Sequence, residues 1–443
     1  MGTREKERIL YYVALLYTVS VYGTMAVMSI GAGIAVAGWL VGRWGDYRTD
    51  LRAVRESPVF WPTVFLGVAC LWSLVWAKYS GLTFYLKQPT VTWDDTRKSW
   101  HLLFPFVLFA IFSHLSGSHL RRVVKVWFWL GLASGVLGIV QFYIPIYKPM
   151  MLPHVRYAGH VPWTGWLSFL EGGWHATGLA GFHLSYAAII GFPAAVSLAL
   201  MAVLFRREGL SLRTGVVAFM ALLFFAANMC TYSKIAWLAM PLTVVLIAII
   251  GFKGKPRYLL IASIAIFCVA FGSSTAVRER FGADTRTFTE HRQTWDANLE
   301  MIRQFPIFGV GWHRNAELSQ GFYLHVQRTT GFESHAHNNI LDQWATTGLF
   351  GLIGFLWLNG VLFIMSFRLY RDNHDLIWRS LGLGLIGGWF CLQLNGLTQT
   401  NWWDAKVMHQ IGWVTAITMT GYRRYRALPL SETSTSTAVH RRA

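Results

Sequence analysis

Twelve apolar runs separated by short basic clusters decide the fold class of this chain. A helix needs about 20 apolar residues to cross the ~30 Å hydrocarbon core of a bilayer. Runs of that order recur near 9–23, 25–42, 58–77, 100–116, 124–146, 177–205, 214–230, 234–251, 258–273, 338–366, 379–395 and 404–421. The sequence therefore predicts an all-α polytopic membrane protein of about twelve transmembrane helices. Charged residues supply only 14% of the chain, against about 25% in soluble domains. The first run, Ile9 to Gly42, is too long for the apolar core of a signal peptide and holds two spans, so a cleaved leader is not expected.

The net charge of +18 would suit nucleic acid if the basic residues formed one face. They fall instead in the gaps between apolar runs, the pattern of cytoplasmic loops under the positive-inside rule. Arg4/Lys6/Arg8, Arg43/Arg48/Arg52/Arg55, Arg121/Arg122/Lys125, Arg206/Arg207/Arg213, Lys253/Lys255/Arg257, Arg368/Arg371/Arg379 and Arg423/Arg424/Arg426 with Arg441/Arg442 occupy alternate gaps. Together they are 24 of the 39 lysines and arginines. This predicts both termini inside and no nucleic-acid partner.

The remaining gaps face outward: 78–99, 147–176 and the long 274–337. The last carries Arg278, Arg280, Arg286, Arg292, Arg303, Arg314 and Arg328 against seven acidic residues. Loops longer than about 60 residues escape the charge rule, so these arginines are compatible with an external position and available for chemistry. The expected organisation is N-terminal spans and loops over 1–176, a core over 177–366 that includes the loop 274–337, C-terminal spans over 367–426, and a disordered cytoplasmic tail over 427–443. The four cysteines, Cys70, Cys230, Cys268 and Cys391, all lie in apolar runs without CxxC spacing and are expected to be small buried hydrophobes.

Within the long loop, TFTEHRQTWDANLEMIRQ (287–304) pairs a capping-box pattern, Thr287 and Glu290, with Trp295, Leu299 and Ile302 on one helical face. An amphipathic helix ending before Pro306 is expected. Its first half carries Arg286 and Arg292, and helix N-termini attract anions. The competing reading is a solvated helix in which Arg292 answers Asp296 and Glu300. Lys234 opens a span at its outer end, where a lysine can simply snorkel. Lys406, beside Asp404, reads as a snorkelling neighbour of Trp402 and Trp403, themselves aromatic-belt residues.

The loop ends in SHAHNNILDQW (334–344). As a metal site, His335 and His337 lack a third ligand at a recognised spacing, so no metal is expected. As a cap, Asn338 or Ser334 suits a helix start. As a catalytic element, an imidazole with an ordinary pKa near 6.5 can take a hydroxyl proton. Taken alone the stretch ranks as cap first, catalysis second, metal third. A boundary lysine, loop arginines and a histidine at a span entrance together suit a lipid-diphosphate substrate. Guanidinium groups can stabilise the diphosphate leaving group, and ionisable groups at membrane depth point to function.

The runs T-Y-S-K-x-x-W-L (231–238), H-R-x-x-W (291–295), P-I-F-G-V-G (306–311) and H-A-H-N-N-I-L-D-Q-W-A-T-T-G-L-F-G (335–351) resemble the O-antigen ligase family, which shares a Wzy-type core with O-antigen polymerases and O-linked oligosaccharyltransferases. The resemblance covers about residues 178–360. It implies a GT-C-like glycosyltransferase in the bacterial inner membrane with its site facing the periplasm. The implied reaction is inverting and metal-independent, without a cofactor. It moves polysaccharide from undecaprenyl diphosphate to lipid A-core, with the bilayer lipid as surroundings. Carried over by motif, His337 is the catalytic histidine and Arg292 a diphosphate-binding residue. Lys234 stands where the family usually has arginine, and Arg286 joins by proximity. His335, Asn338 and Asn339 are supporting residues, the asparagines capping the helix or holding the imidazole. Whether His337 removes a proton or orients the acceptor is left open. The alternatives are an O-antigen polymerase or O-linked oligosaccharyltransferase and, outside enzymes, a lipid-linked glycan transporter, for which no internal repeat is visible.

Overall fold

The computed structural model describes residues 2–80, 99–144, 175–274, 285–323 and 335–426, with residues 96, 277, 278 and 281. Among these the chain forms fifteen helices and no strand. In order they are α1 (Thr3–Ser20), α2 (Met25–Gly42), α3 (Tyr47–Arg55), α4 (Phe60–Tyr79), α5 (Trp100–Ser113), α6 (Gly117–Tyr143), α7 (His183–Glu208) and α8 (Leu212–Met229). Then follow α9 (Lys234–Gly251), α10 (Lys255–Ser273), α11 (Thr285–Gln304), α12 (Asn315–Tyr323), α13 (Asn339–Asp372), α14 (Leu376–Asn395) and α15 (Ala405–Arg426). Each of the twelve apolar runs coincides with one helix. The other three are the amphipathic α3 and the loop helices α11 and α12.

Eight helices are long and apolar enough to cross a membrane: α2, α4, α6, α7, α8, α9, α10 and α13. The four other expected spans fall short for visible reasons. Helix α5 is apolar but 14 residues long, and α1 opens on Arg4, Glu5, Lys6, Glu7 and Arg8. Helices α14 and α15 lie among other helices, which relaxes the need for an apolar outer face. Helix α7 is buried along most of its length, and α14 lies against it. At Gly384 a Cβ would come within 2.4 Å of the Val196 Cα, so glycine permits the close backbone approach that membrane helices use for packing. Helix α15 joins the two halves: Trp413 stacks on Trp127 with centroids 4.6 Å apart and donates to Thr18 Oγ1 at 3.0 Å.

Helix α10 marks the periphery. It buries only Phe271 and exposes Tyr258, Leu259, Ile266 and Val269, a face suited to lipid. It also exposes Cys268, whereas Cys70, Cys230 and Cys391 are buried and all four thiols are free. The expectation of four buried cysteines therefore fails at Cys268, because a residue on a peripheral helix meets lipid rather than protein.

Bonds between loops sort the helix ends. Lys6 pairs with Asp46 at 2.9 Å, Glu7 with His119 at 2.9 Å and Arg121 with Asp375 at 2.8 Å. Arg207 donates to the His374 carbonyl and Arg424 to the Leu115 carbonyl. The basic clusters from the chain start, 43–55, 121–125, 206–213, 368–379 and 423–426 thus gather at one end of the bundle. Helix α13 runs from that end, at Asp372, to Asn339 at the other.

Helix α13 is broken at Gly348, whose φ of 66° and ψ of −167° leave the helix. The break frees the carbonyls of Ala345 and Thr346, which accept from Val310 N (2.9 Å) and Gly311 N (3.0 Å). In return Leu349 N donates to the Pro306 carbonyl at 2.8 Å. The segment 306–311 therefore replaces the hydrogen bonds a continuous helix would have made, as any backbone at membrane depth must. A Cβ on Gly348 would lie 2.1 Å from the Ile307 carbonyl oxygen, and one on Gly309 would lie 2.5 Å from the Thr346 carbonyl. The two motifs P-I-F-G-V-G and G-L-F-G are halves of one backbone-to-backbone junction.

Candidate active site

The stretch before α13 is built as a turn followed by a cap. His337 adopts a left-handed backbone, φ 49°, uncommon for a residue with a side chain although tolerated better by His than by most. Asn338 follows as N-cap, its Oδ1 accepting from Ile340 N at 2.9 Å and Leu341 N at 3.0 Å, an arrangement that contributes about 1 kcal/mol to the helix. Its Nδ2 donates to the Leu397 carbonyl at 3.1 Å. Asn339 is buried: its N donates to the Gly396 carbonyl at 2.7 Å and its Nδ2 to Asn401 Oδ1 at 2.8 Å, while its Oδ1 accepts from Trp402 N at 3.1 Å. These bonds of Asn338 and Asn339 fix the helix start to the loop 396–404.

The imidazole of His337 is half-buried among three groups. Its Nδ1 lies 3.0 Å from Gln399 Oε1. The ring of His291 stacks on it with centroids 4.7 Å apart and 20° between planes. The ring of His335 lies 4.3 Å away at 58°, and the His337 N–H points to His335 Nδ1 at 3.3 Å. Burial, followed by repulsion from His335, pushes the His337 pKa down to about 4, against the Gln399 hydrogen bond and the Glu290 carboxylate. At neutral pH this histidine is uncharged and able to accept a proton. Gln399 and His291 were not among the residues expected to support it.

Helix α11 brings His291 and Glu290 to the site and carries Arg292 as the residue after His291. It starts at Thr285, so Thr287 lies inside its first turn rather than at the expected cap, and it ends at Gln304 ahead of Pro306 as the sequence predicts. The buried face differs from the expected one. Thr294, Ala297, Asn298, Met301 and Ile302 are buried, and Leu299 is 50% exposed. The helix is turned by a polar junction: Asn315 Nδ2 donates to Asn298 Oδ1 at 2.9 Å and to Asp342 Oδ1 at 2.8 Å, and all three residues are buried. Apolar periodicity cannot see such a contact.

The arginines divide. Arg303 pairs with Glu300 at 2.8 Å, and Arg314, buried, pairs with Glu317 at 3.0 Å. Glu300 is thus committed to Arg303 rather than to Arg292, and these two arginines are structural. Arg292 is exposed and makes no ion pair among the described residues. Arg286 lies in the first turn of α11, and its side chain is outside the described residues, as are Arg280 and Arg328.

Lys234 begins α9 behind the N-cap Ser233, half-buried, with its Nζ 5.5 Å from the Phe281 ring centroid. Phe281 stands only four residues before α11, a reach of at most about 14 Å, so Lys234 lies at the His337 end of the bundle. Trp237 holds this corner, donating to the Met229 carbonyl at 2.9 Å and packing edge-on against Phe271 at 5.0 Å.

Two expectations for the last external gap are corrected. Trp402 and Trp403 are buried, 1% and 4% exposed, not belt residues at a lipid surface. Trp403 donates to Gln343 Oε1 at 2.9 Å, and Trp402 packs edge-on against Phe355 at 4.9 Å. Lys406 donates to the Ala180 carbonyl rather than snorkelling, and Asp404 accepts from Ser185 Oγ at 2.6 Å. The reason is that the loop is drawn inward by Asn339. Of the outward gap 147–176 only His175 and Ala176 are among the described residues, and His175 Nδ1 lies 3.0 Å from the Thr231 carbonyl oxygen. Among the described residues no group of three or more His, Cys, Asp or Glu side chains is arranged to hold a metal ion.

No curated protein matches the chain. Residues 219–356 match the model of the O-antigen ligase family. That segment runs from α8 through the Lys234 corner, α11 and the 306–311 junction to the His337 turn and the broken α13, so it contains Lys234, His291, Arg292 and His337 but not the loop that carries Gln399. Over that segment the chain is similar to the O-antigen ligase family, and the helices around it are those of a polytopic membrane protein.

Proposed function

We propose that this protein transfers O-antigen polysaccharide from undecaprenyl diphosphate to lipid A-core at the periplasmic face of the inner membrane. The match of residues 219–356 to the O-antigen ligase family supports an O-antigen ligase/polymerase-type activity on lipid-linked polysaccharide. The observation that carries the finer reading is the meeting of an uncharged, buried His337 with α11, which brings the exposed Arg292 to the same end of the bundle as Lys234. In the proposed reaction an acceptor hydroxyl attacks the anomeric carbon from the side opposite the diphosphate. The bond from that carbon to the diphosphate oxygen breaks, the electron pair leaves with undecaprenyl diphosphate, and the hydroxyl proton passes to His337 Nε2. The anomeric centre inverts. Arg292, Lys234 and Arg286 stabilise the charge that grows on the leaving group, a task guanidinium and ammonium groups perform best at a site shielded from water. The single long loop of 274–337, closing on the histidine turn, supports ligation to a second lipid-anchored partner.

Deletion of the gene separates this reading from polymerisation. A missing ligase leaves lipopolysaccharide that ends at bare core while long polymer accumulates on undecaprenyl diphosphate. Core capped by a single repeat unit would reject ligation in favour of polymerisation.

A further inference from the structure

We propose that Gln399 is a positioning residue for His337: its amide oxygen accepts the imidazole Nδ1–H and so keeps the proton off Nε2. The proposal rests on the reading of His337 as the proton acceptor. It starts from the 3.0 Å contact between His337 Nδ1 and Gln399 Oε1 and from the way the chain enforces it. Gly396 and Leu397 on one side of Gln399, and Asn401 and Trp402 on the other, are all hydrogen-bonded to Asn338 or Asn339. The loop is therefore registered to the two residues that follow His337. A glutamine 62 residues away is delivered to one ring nitrogen without having to find it. The role of the two asparagines toward the imidazole is then indirect, through the loop that carries Gln399.

An amide suits this position better than a carboxylate. Which nitrogen of a neutral imidazole bears the proton is set by the hydrogen bond of the other. A carboxylate at Nδ1 would set the same tautomer but would also favour imidazolium. A neutral acceptor fixes the tautomer and leaves the ring uncharged beside an anionic substrate that would otherwise draw it into a static ion pair. The other titratable and charged groups around the ring are His335 on its own segment and Glu290 and His291 on α11.

The test uses the full-length protein with undecaprenyl-diphosphate-linked polysaccharide and lipid A-core. Gln399→Leu removes the acceptor, and Gln399→Glu keeps it with a charge. The proposal predicts that Gln399→Leu lowers kcat by about 10- to 100-fold with little change in KM, the usual cost of losing a supporting partner. Gln399→Glu should retain activity at neutral pH while its acid limb moves up by about one pH unit or more. Nitrogen NMR of histidine-labelled protein, with His337→Ala to assign the signal, should show the Nδ1–H tautomer in the wild type and in Gln399→Glu. An unshifted acid limb in Gln399→Glu, an inactive but folded Gln399→Glu, or an Nε2–H wild-type signal overturns the proposal, even if Gln399→Leu does not fold. Wild-type kcat in Gln399→Leu beside an inactive His337→Ala overturns this proposal and leaves the proposed function standing. An active His337→Ala overturns both.

Discussion

The imidazole of His291 lies parallel to that of His337, 4.7 Å between centroids and 20° between planes. This stack is a direct contact between helix α11 and the turn before α13. It brings Glu290, whose carboxylate acts on the His337 ring, to the site, and Arg292 is the residue after His291 on the same helix. It also covers one face of the His337 ring, and covering is what keeps that ring uncharged.

The pH profile follows from that burial. Because the pKa of His337 is pushed down to about 4 from the ordinary 6.5, the proton-accepting form persists well into acid. The kcat/KM of the free enzyme should be flat from neutral pH downward and fall only as pH approaches about 4. For stability the sign is the same. The unfolded chain takes up the proton first, so the contribution is complete above 6.5 and is lost as pH falls from 6.5 toward 4. An acid limb at 6.5, removed by His337→Ala, would contradict this account.

The junction between 306–311 and the broken α13 should be the least tolerant backbone in the domain. Gly348→Ala places a Cβ 2.1 Å from the Ile307 carbonyl oxygen at a φ of 66° and is expected to cost roughly 2–4 kcal/mol. Gly360→Ala in the same helix meets nothing within 4 Å and should stay within about 0.5 kcal/mol of wild type. Thermal unfolding in detergent compares the two. Equal melting temperatures would mean that the junction does not hold the break.

How much of this could be read in advance depended on the range of the interaction. The twelve runs were legible because bilayer thickness sets their length, and the cap at Asn338 because a helix end is a local event. The break at Gly348 was not, since α13 continues its apolar pattern across it and Pro306, 42 residues earlier, supplies the compensation. Gln399 was invisible for the same reason: nothing in a short polar gap says that Asn339 will pull it onto a histidine. Leu299 misled because the face of α11 is chosen by Asn298 and its bond to Asn315, not by apolar area. Glu300 misled because its partner is Arg303, one turn on, and not Arg292, about two turns back.

The proposed cation site predicts a graded response. Arg292→Ala and Lys234→Ala should each lower transfer by about 10- to 100-fold, the value of a charge-assisted hydrogen bond to phosphate. Lys234→Arg should keep substantial activity, since the family usually has arginine at this place. Transfer should also persist in excess EDTA. Activity lost in chelator and restored by a divalent ion would replace the cation account, and a Lys234→Arg as inactive as Lys234→Ala would remove Lys234 from it.

The central claim is that His337 carries the chemistry of transfer without being needed for the fold. The most direct measurement gives purified wild-type protein and His337→Ala the same two substrates, undecaprenyl-diphosphate-linked polysaccharide and lipid A-core, and follows the joined product. His337→Ala should be as abundant and as thermally stable as wild type, to within a few degrees, and form almost no product, while His335→Ala should lose much less. Near-normal product from His337→Ala would contradict the account at its centre.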